Sequence, residues 1–61
     1  MNYKGFKGSI NYCKIDSVFW GKIENINDLI TFEGKNLSEL YKEFIVSTED
    51  YLKALNKLNH E

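Results

Sequence analysis

The sequence contains no proline and no arginine, and only one cysteine and one histidine. Each shortage removes a class of answer. Without proline nothing punctuates the chain into parts, and 61 residues make one small domain, residues 1–61. The lone Cys13 excludes an internal disulfide, and Cys13 with His60 cannot supply the four ligands of a structural zinc site. Eight lysines stand where arginine would read guanine edges and phosphates, and nine acidic residues bring the formal net charge to -1. A stand-alone nucleic-acid binder is therefore not expected. No apolar run approaches the roughly 20 residues that span a bilayer, and the opening MNYKGFKGS lacks the apolar stretch of a signal peptide. A reduced, cytoplasmic setting is the expectation. Nor is there a glycine-rich phosphate loop, since GFKG and FEGKN match neither known spacing.

What is present points to a folded core. Hydrophobic residues make up 43% of the chain and aromatics 15%, too many for a disordered segment. A chain of this size buries only about 60% of its unfolded surface. Self-association, or docking on a partner, is the expected source of further burial.

Phe6, Gly8, Ile10 and Tyr12 alternate with Lys7, Ser9, Asn11 and Cys13, the period of a strand with one buried face. Gly5 and Gly8 within it suggest a bulge or the close approach of another backbone. Lys14–Ser17 supplies a turn through Asp16 and Ser17. Val18–Ile23 has apolar side chains on both faces, Phe19 and Ile23 against Val18 and Trp20, as in a central strand covered on two sides. After the turn residues 24–28, Leu29–Phe32 reads as a third short strand, completing an antiparallel meander.

A helix follows. Asn36 as N-cap and Glu39 three residues later fit a capping box, and Gly34 leaves the chain free to reverse. Leu37, Leu40, Tyr41, Phe44, Ile45, Thr48, Tyr51, Leu52, Leu55 and Leu58 form one stripe, with Glu39, Lys42, Glu43, Asp50, Lys53 and Lys57 opposite. At 1.5 Å per residue the predicted helix Leu37–Leu58 is about 33 Å long, so its last two turns are expected to overhang a small sheet. The predicted class is α+β, a three-stranded antiparallel sheet with one long C-terminal helix on one face (β-β-β-α). Val46 on the polar side and Trp20 on an uncovered strand face break the pattern and together suggest a contact patch.

Reactive groups are scarce. His60 is penultimate, where chains fray. Cys13 reads as a small apolar residue, although Lys14 beside it would lower the thiol pKa at an exposed site. Asp16, Asp28 and Glu33 fall at strand ends, and Glu49 and Asp50 are adjacent on a helix, where neighbours point about 100° apart. Two-metal phosphodiester chemistry needs carboxylates gathered within about 4 Å. Tyr3, Phe6, Tyr12, Phe19 and Trp20 interleave with Lys4, Lys7 and Lys22, as a base-stacking platform would, but so small a domain needs them as core. No catalytic residue, metal ligand or cofactor is expected.

Several words in order resemble the N-terminal domain of HicB-like antitoxins. They are Tyr3-Lys4-Gly5-Phe6 and Gly8-Ser9-Ile10, then Phe19-Trp20-Gly21-Lys22-Ile23, then Asn27 through Gly34. Leu37 through Leu40, Phe44 and Asp50-Tyr51-Leu52 complete the likeness, which runs from Tyr3 to about Lys53. The resemblance implies a partial ribonuclease H-like fold without an established catalytic role. It also implies a partner, a HicA-like messenger-RNA-cleaving toxin that the domain occludes. The sequence ends at Glu61, where such relatives continue into a DNA-binding segment, so DNA binding is not carried over. The turn residues 24–28 also lack the glycine that relatives often place there.

Three readings follow. The leading one is an antitoxin domain whose acidic side chains pair with the cationic surface of a toxin while apolar contacts supply burial. Its expected contacts are Asp16, Trp20, Asp28, Glu33, Glu39, Glu43, Val46 and Asp50. The second is a homo-oligomeric structural domain, because open sheet edges pair. The third is a degenerate metal-dependent nuclease using Asp16, Asp28 or Glu33.

Overall fold

Five short strands precede one helix in the computed structural model, which describes residues 1–59, with side chains described through residue 56. The strands are β1 (Asn2–Tyr3), β2 (Phe6–Gly8), β3 (Asn11–Cys13), β4 (Val18–Glu24) and β5 (Thr31–Gly34), and α1 is Leu37–Asn59. All pair antiparallel, and β4 is central, with β2 and β3 along one edge and β5 along the other. The α+β class and the C-terminal helix agree with the sequence reading. The sheet has five strands rather than three, for two local reasons.

The first reason is a tight turn. Lys4 and Gly5 have φ of 50° and 84°, and positive φ at both central residues is the geometry of a two-residue type I′ hairpin. It folds β1 back on β2, with Asn2 opposite Lys7 and Tyr3 opposite Phe6. The Met1 ammonium donates to the Gly8 carbonyl (3.0 Å), and the Gly8 N–H donates to the Met1 carbonyl (2.8 Å).

The second reason is a break at Ser9–Ile10. The pairing with β4 keeps one register across it, from Gly8 opposite Ile23 to Asn11 opposite Trp20, so no residue is inserted. The Ser9 N–H donates to the Lys22 carbonyl (3.0 Å), but the Lys22 N–H donates to Ser9 Oγ (3.0 Å). The side chain thus takes the acceptor role that the Ser9 carbonyl has in a regular ladder. The carbonyl is turned over Gly21, and a Cβ at Gly21 would overlap its oxygen and sit 2.9 Å from its carbon. The close backbone approach expected at Gly5 or Gly8 therefore occurs at Gly21, and no bulge is present. Gly8 instead faces the Phe44 ring.

The core is small. Ile23, Phe32, Leu40 and Phe44 are buried, with Met1, Tyr3, Phe6, Phe19, Ile26 and Ile30 packed around them. The Phe32 and Phe44 rings lie 5.3 Å apart. The helix begins as expected: the Glu39 N–H donates to Asn36 Oδ1 (2.9 Å). Glu39 reaches one residue further back than a standard capping box, accepting from the Lys35 N–H (3.1 Å). Gly34 does not adopt a positive φ; it matters for space, because a Cβ there would lie 2.6 Å from the Leu40 nitrogen.

Several expectations are corrected. The third strand is Thr31–Gly34, not Leu29–Phe32, and Leu29 is 82% exposed. Pairing with β4 turns Phe32 and Gly34 inward, which leaves Leu29 in the preceding loop. Ile10 and Tyr12 do not continue the buried face; they are 51% and 52% exposed. The helix packs on β5 and β4, with its start at Gly34, and β3 lies beyond it. The helix stripe is buried only in its middle, since Leu37 and Tyr41 are exposed while Leu40, Phe44 and Thr48 are fully covered. β4 is covered on one face only, and Trp20 is exposed on the other. At the far end of the sheet, the Phe6 ring meets Tyr51 edge-on at 5.7 Å, one turn short of the expected overhang. Leu55 is half-buried, and the side chains of Lys57, Leu58 and His60 lie outside the described residues.

Candidate interaction surface

Four of the sequence-predicted contacts fall into one row. Glu39, Glu43, Val46 and Asp50 follow each other at steps of four, three and four along α1, which keeps them within about 60° of arc. All four are exposed, on the side away from Leu40, Phe44 and Thr48. Lys42 and Lys53 flank the row at about 60° from Glu39's direction or less, so its acidity is partly offset along one margin.

Trp20 and Glu33 meet on the sheet. They are cross-strand partners on β4 and β5, pointing to the face that carries no helix. Together with Thr31, Phe32 and Glu43 they line an open depression of about 610 Å³. Phe32 and Glu33 point to opposite sides of β5, so the depression wraps around that edge and brings Glu43 of the helix to the margin of the open face. Trp20, Glu33 and Glu43 are thereby joined, and the row continues from Glu43 to Val46 and Asp50. Asp16 and Asp28 are not part of this surface. Asp16 sits in the β3–β4 turn, where Cys13 Sγ donates to its Oδ2 at 3.9 Å. Asp28 lines a separate open depression of about 540 Å³ formed by residues 22–29.

Charge is fixed at one further place that the sequence reading missed. The Tyr3 hydroxyl donates to Glu49 Oε2 at 2.6 Å, and Lys4 Nζ lies 2.8 Å from the same oxygen. Lys4 also stands over the Tyr3 ring, 5.5 Å from its centroid. The hydrogen bond from Lys4, then that from Tyr3, holds the Glu49 carboxyl below its ordinary pKa. The same carboxylate, through its hydrogen bonds, raises the pKa of Lys4 and of Tyr3. Glu49 thus ties the N-terminal hairpin to the helix, while its neighbour Asp50 points into the outward row. The only sequence signal for this tie was position, with Tyr3 and Lys4 beside the turn glycine.

Among the described residues no three of His, Cys, Asp and Glu gather as a metal site would require. Among the same residues, no helix is long and apolar enough to cross a membrane. No family model matches the sequence, and neither a curated protein nor a solved structure matches it.

Proposed function

We propose that this domain works by binding, as an antitoxin domain of HicB type that covers a cationic, RNA-cleaving HicA-like toxin. The observation that carries the reading is the continuous surface from Trp20 and Glu33 over the β5 edge to Glu43, Val46 and Asp50. Carboxylates there are spaced along a rigid helix, and an indole and a valine supply exposed apolar area between them. A surface that binds RNA is cationic for its own substrate, so an acidic row opposes it and steers encounter. Aromatic and aliphatic anchors then supply burial that charge pairs at a rim do not.

The test mixes the chain with a HicA-type toxin and reads messenger-RNA cleavage and co-elution on size exclusion. One equivalent is expected to suppress cleavage at micromolar concentration, which corresponds to about -8 kcal/mol of binding. The triple variant Glu39→Lys, Glu43→Lys, Asp50→Lys is expected to lose suppression, and Trp20→Ala to weaken it about tenfold or more. Separate peaks with undiminished cleavage would sink the proposal.

A further inference from the structure

Trp20 stands on the open face of the sheet with a carboxylate fixed beside it. The Ile23 N–H donates to the Ile30 carbonyl, so Ile23–Ile30, Gly21–Phe32 and Phe19–Gly34 are the hydrogen-bonded pairs of β4 and β5. Trp20 and Glu33 therefore form a non-hydrogen-bonded pair, the kind whose Cα atoms come within about 4.5 Å and whose side chains lie closest. Glu43 reaches the same depression from the helix, and Thr31 adds a hydroxyl on the face of Trp20. None of the residues lining the depression is basic. Lys22, two residues from Trp20 on the same face, lines the separate depression of residues 22–29. Among the described residues Glu33 and Glu43 form no ion pair, whereas Glu49 has Lys4. Lys4 also stands over the Tyr3 ring, but among the same residues no cation stands over Trp20, whose indole is the stronger cation binder. An exposed indole beside two carboxylates that have no cation of their own selects a cation with a flat face.

We infer that this depression seats an arginine side chain of the partner, its guanidinium flat on the Trp20 indole and its N–H groups donating to Glu33 and Glu43. The guanidinium is planar and weakly hydrated, and its five donors lie in the plane of the group. Stacking on the ring therefore leaves the donors directed sideways, toward Glu33 on the open face and Glu43 at its margin. A lysine ammonium is compact and strongly hydrated, and it has no flat face to lay on the indole. A nucleobase also stacks on tryptophan, but the phosphates attached to it would meet two carboxylates. The assignment rests on the binding reading above for the protein that presents the arginine, and it names the group on that protein that the site would hold.

Trp20 is the only tryptophan of the chain, so its emission reports on this site alone. The chain by itself is titrated with a blocked glycine–arginine–glycine tripeptide, with its lysine counterpart and with its neutral citrulline counterpart, all at one ionic strength. The arginine peptide is expected to change the emission saturably, with a dissociation constant of about 10 mM or tighter. The lysine peptide is expected to bind about fivefold more weakly or worse, and the citrulline peptide, which keeps the shape and loses the charge, not to saturate. Glu33→Gln and Glu43→Gln are each expected to weaken arginine binding about fivefold. Glu24→Gln, on the same face but in the separate depression, is expected to leave it unchanged. If circular dichroism shows Glu33→Gln unfolded, Glu43→Gln on the exposed side of the helix decides. No saturable change with the arginine peptide overturns the inference. So does lysine or citrulline binding equal to arginine, a Glu24→Gln effect as large as that of Glu43→Gln, or tighter binding of a single-stranded oligonucleotide. A chain that suppresses the toxin without binding the peptide refutes this site alone, and one that binds the peptide but not the toxin refutes the antitoxin reading alone.

Discussion

Gly21→Ala inserts a methyl group where the Ser9 carbonyl already sits, with the Ser9 carbon 2.9 Å and a Phe32 ring carbon 3.0 Å away. The obstacle is backbone, so no side-chain rotation relieves it. Either β4 moves away from the Ser9 segment between β2 and β3 or Ser9 swings back, and the first course breaks both Ser9–Lys22 hydrogen bonds. Overpacking of this kind costs about 1–3 kcal/mol, and each lost hydrogen bond adds about 1 kcal/mol. Where β4 moves away, the expected loss is about 3–5 kcal/mol. A 61-residue chain has about 3–9 kcal/mol of stability in all, so the variant is expected to sit near its unfolding threshold at physiological temperature. Thermal unfolding followed by circular dichroism reads the effect, as a fall in Tm of at least about 12 °C. The cause is separable by a double variant. Ser9→Ala removes the substitute acceptor, which favours return of the Ser9 carbonyl to the Lys22 N–H and vacates the space above residue 21. Ser9→Ala with Gly21→Ala is therefore expected to cost less than the sum of the two single changes. A Gly21→Ala loss below about 1 kcal/mol, less than the low end for overpacking, refutes the reasoning, as does strict additivity.

Three further outcomes are expected. Asn36→Ala removes the acceptor for the Glu39 N–H and is expected to lower stability by about 1 kcal/mol in urea titration. Thr48→Val is expected to raise it by up to about 1 kcal/mol, because the buried Thr48 hydroxyl has no hydrogen-bond partner and an apolar group of the same shape needs none. The tie at Glu49 has a pH window with two signs. The lowered Glu49 pKa gives stability that is present above the ordinary carboxylate value of 4.5 and lost as pH falls through the folded value. The raised Tyr3 and Lys4 values give stability that is present below 10.0 and 10.5 and lost as pH rises through theirs. Protection of the β1–β2 hairpin amides, taken relative to intrinsic exchange at each pH, is therefore expected to be greatest between these limits, and Glu49→Gln is expected to flatten the acid side.

The helix was legible because its cap and its stripe are local signals, Asn36 and Glu39 three residues apart and Leu40, Phe44 and Thr48 at helical spacing. The turn at residues 14–17 was legible for the same reason, whereas the next was read as 24–28 although Glu24 belongs to β4 and the connection runs over 25–30. The register beyond them was not legible. Leu29 and Ile30 form an apolar pair that looks like the start of a strand, and only pairing with β4 shows that the strand starts at Thr31. The β1–β2 hairpin was hidden because lysine precedes Gly5 at a left-handed position that sequence patterns assign to asparagine or aspartate. The break at Ser9 depends on a hydroxyl standing in for a carbonyl, which no periodicity reveals. For the surface, exposure was read correctly at all eight candidate contacts. Their grouping was not, because the distance from Trp20 to Glu43 is set by how the helix crosses β5, while Asp16 and Asp28 are held apart in separate loops.

The contact between Tyr3 and Glu49 joins positions 46 residues apart. During synthesis the first hairpin emerges long before the carboxylate that holds it, and until then it has a turn but little to rest on. The hairpin is thus made well before the group that fastens it, and a ribosome that stalls before the helix is complete would leave the hairpin still loose.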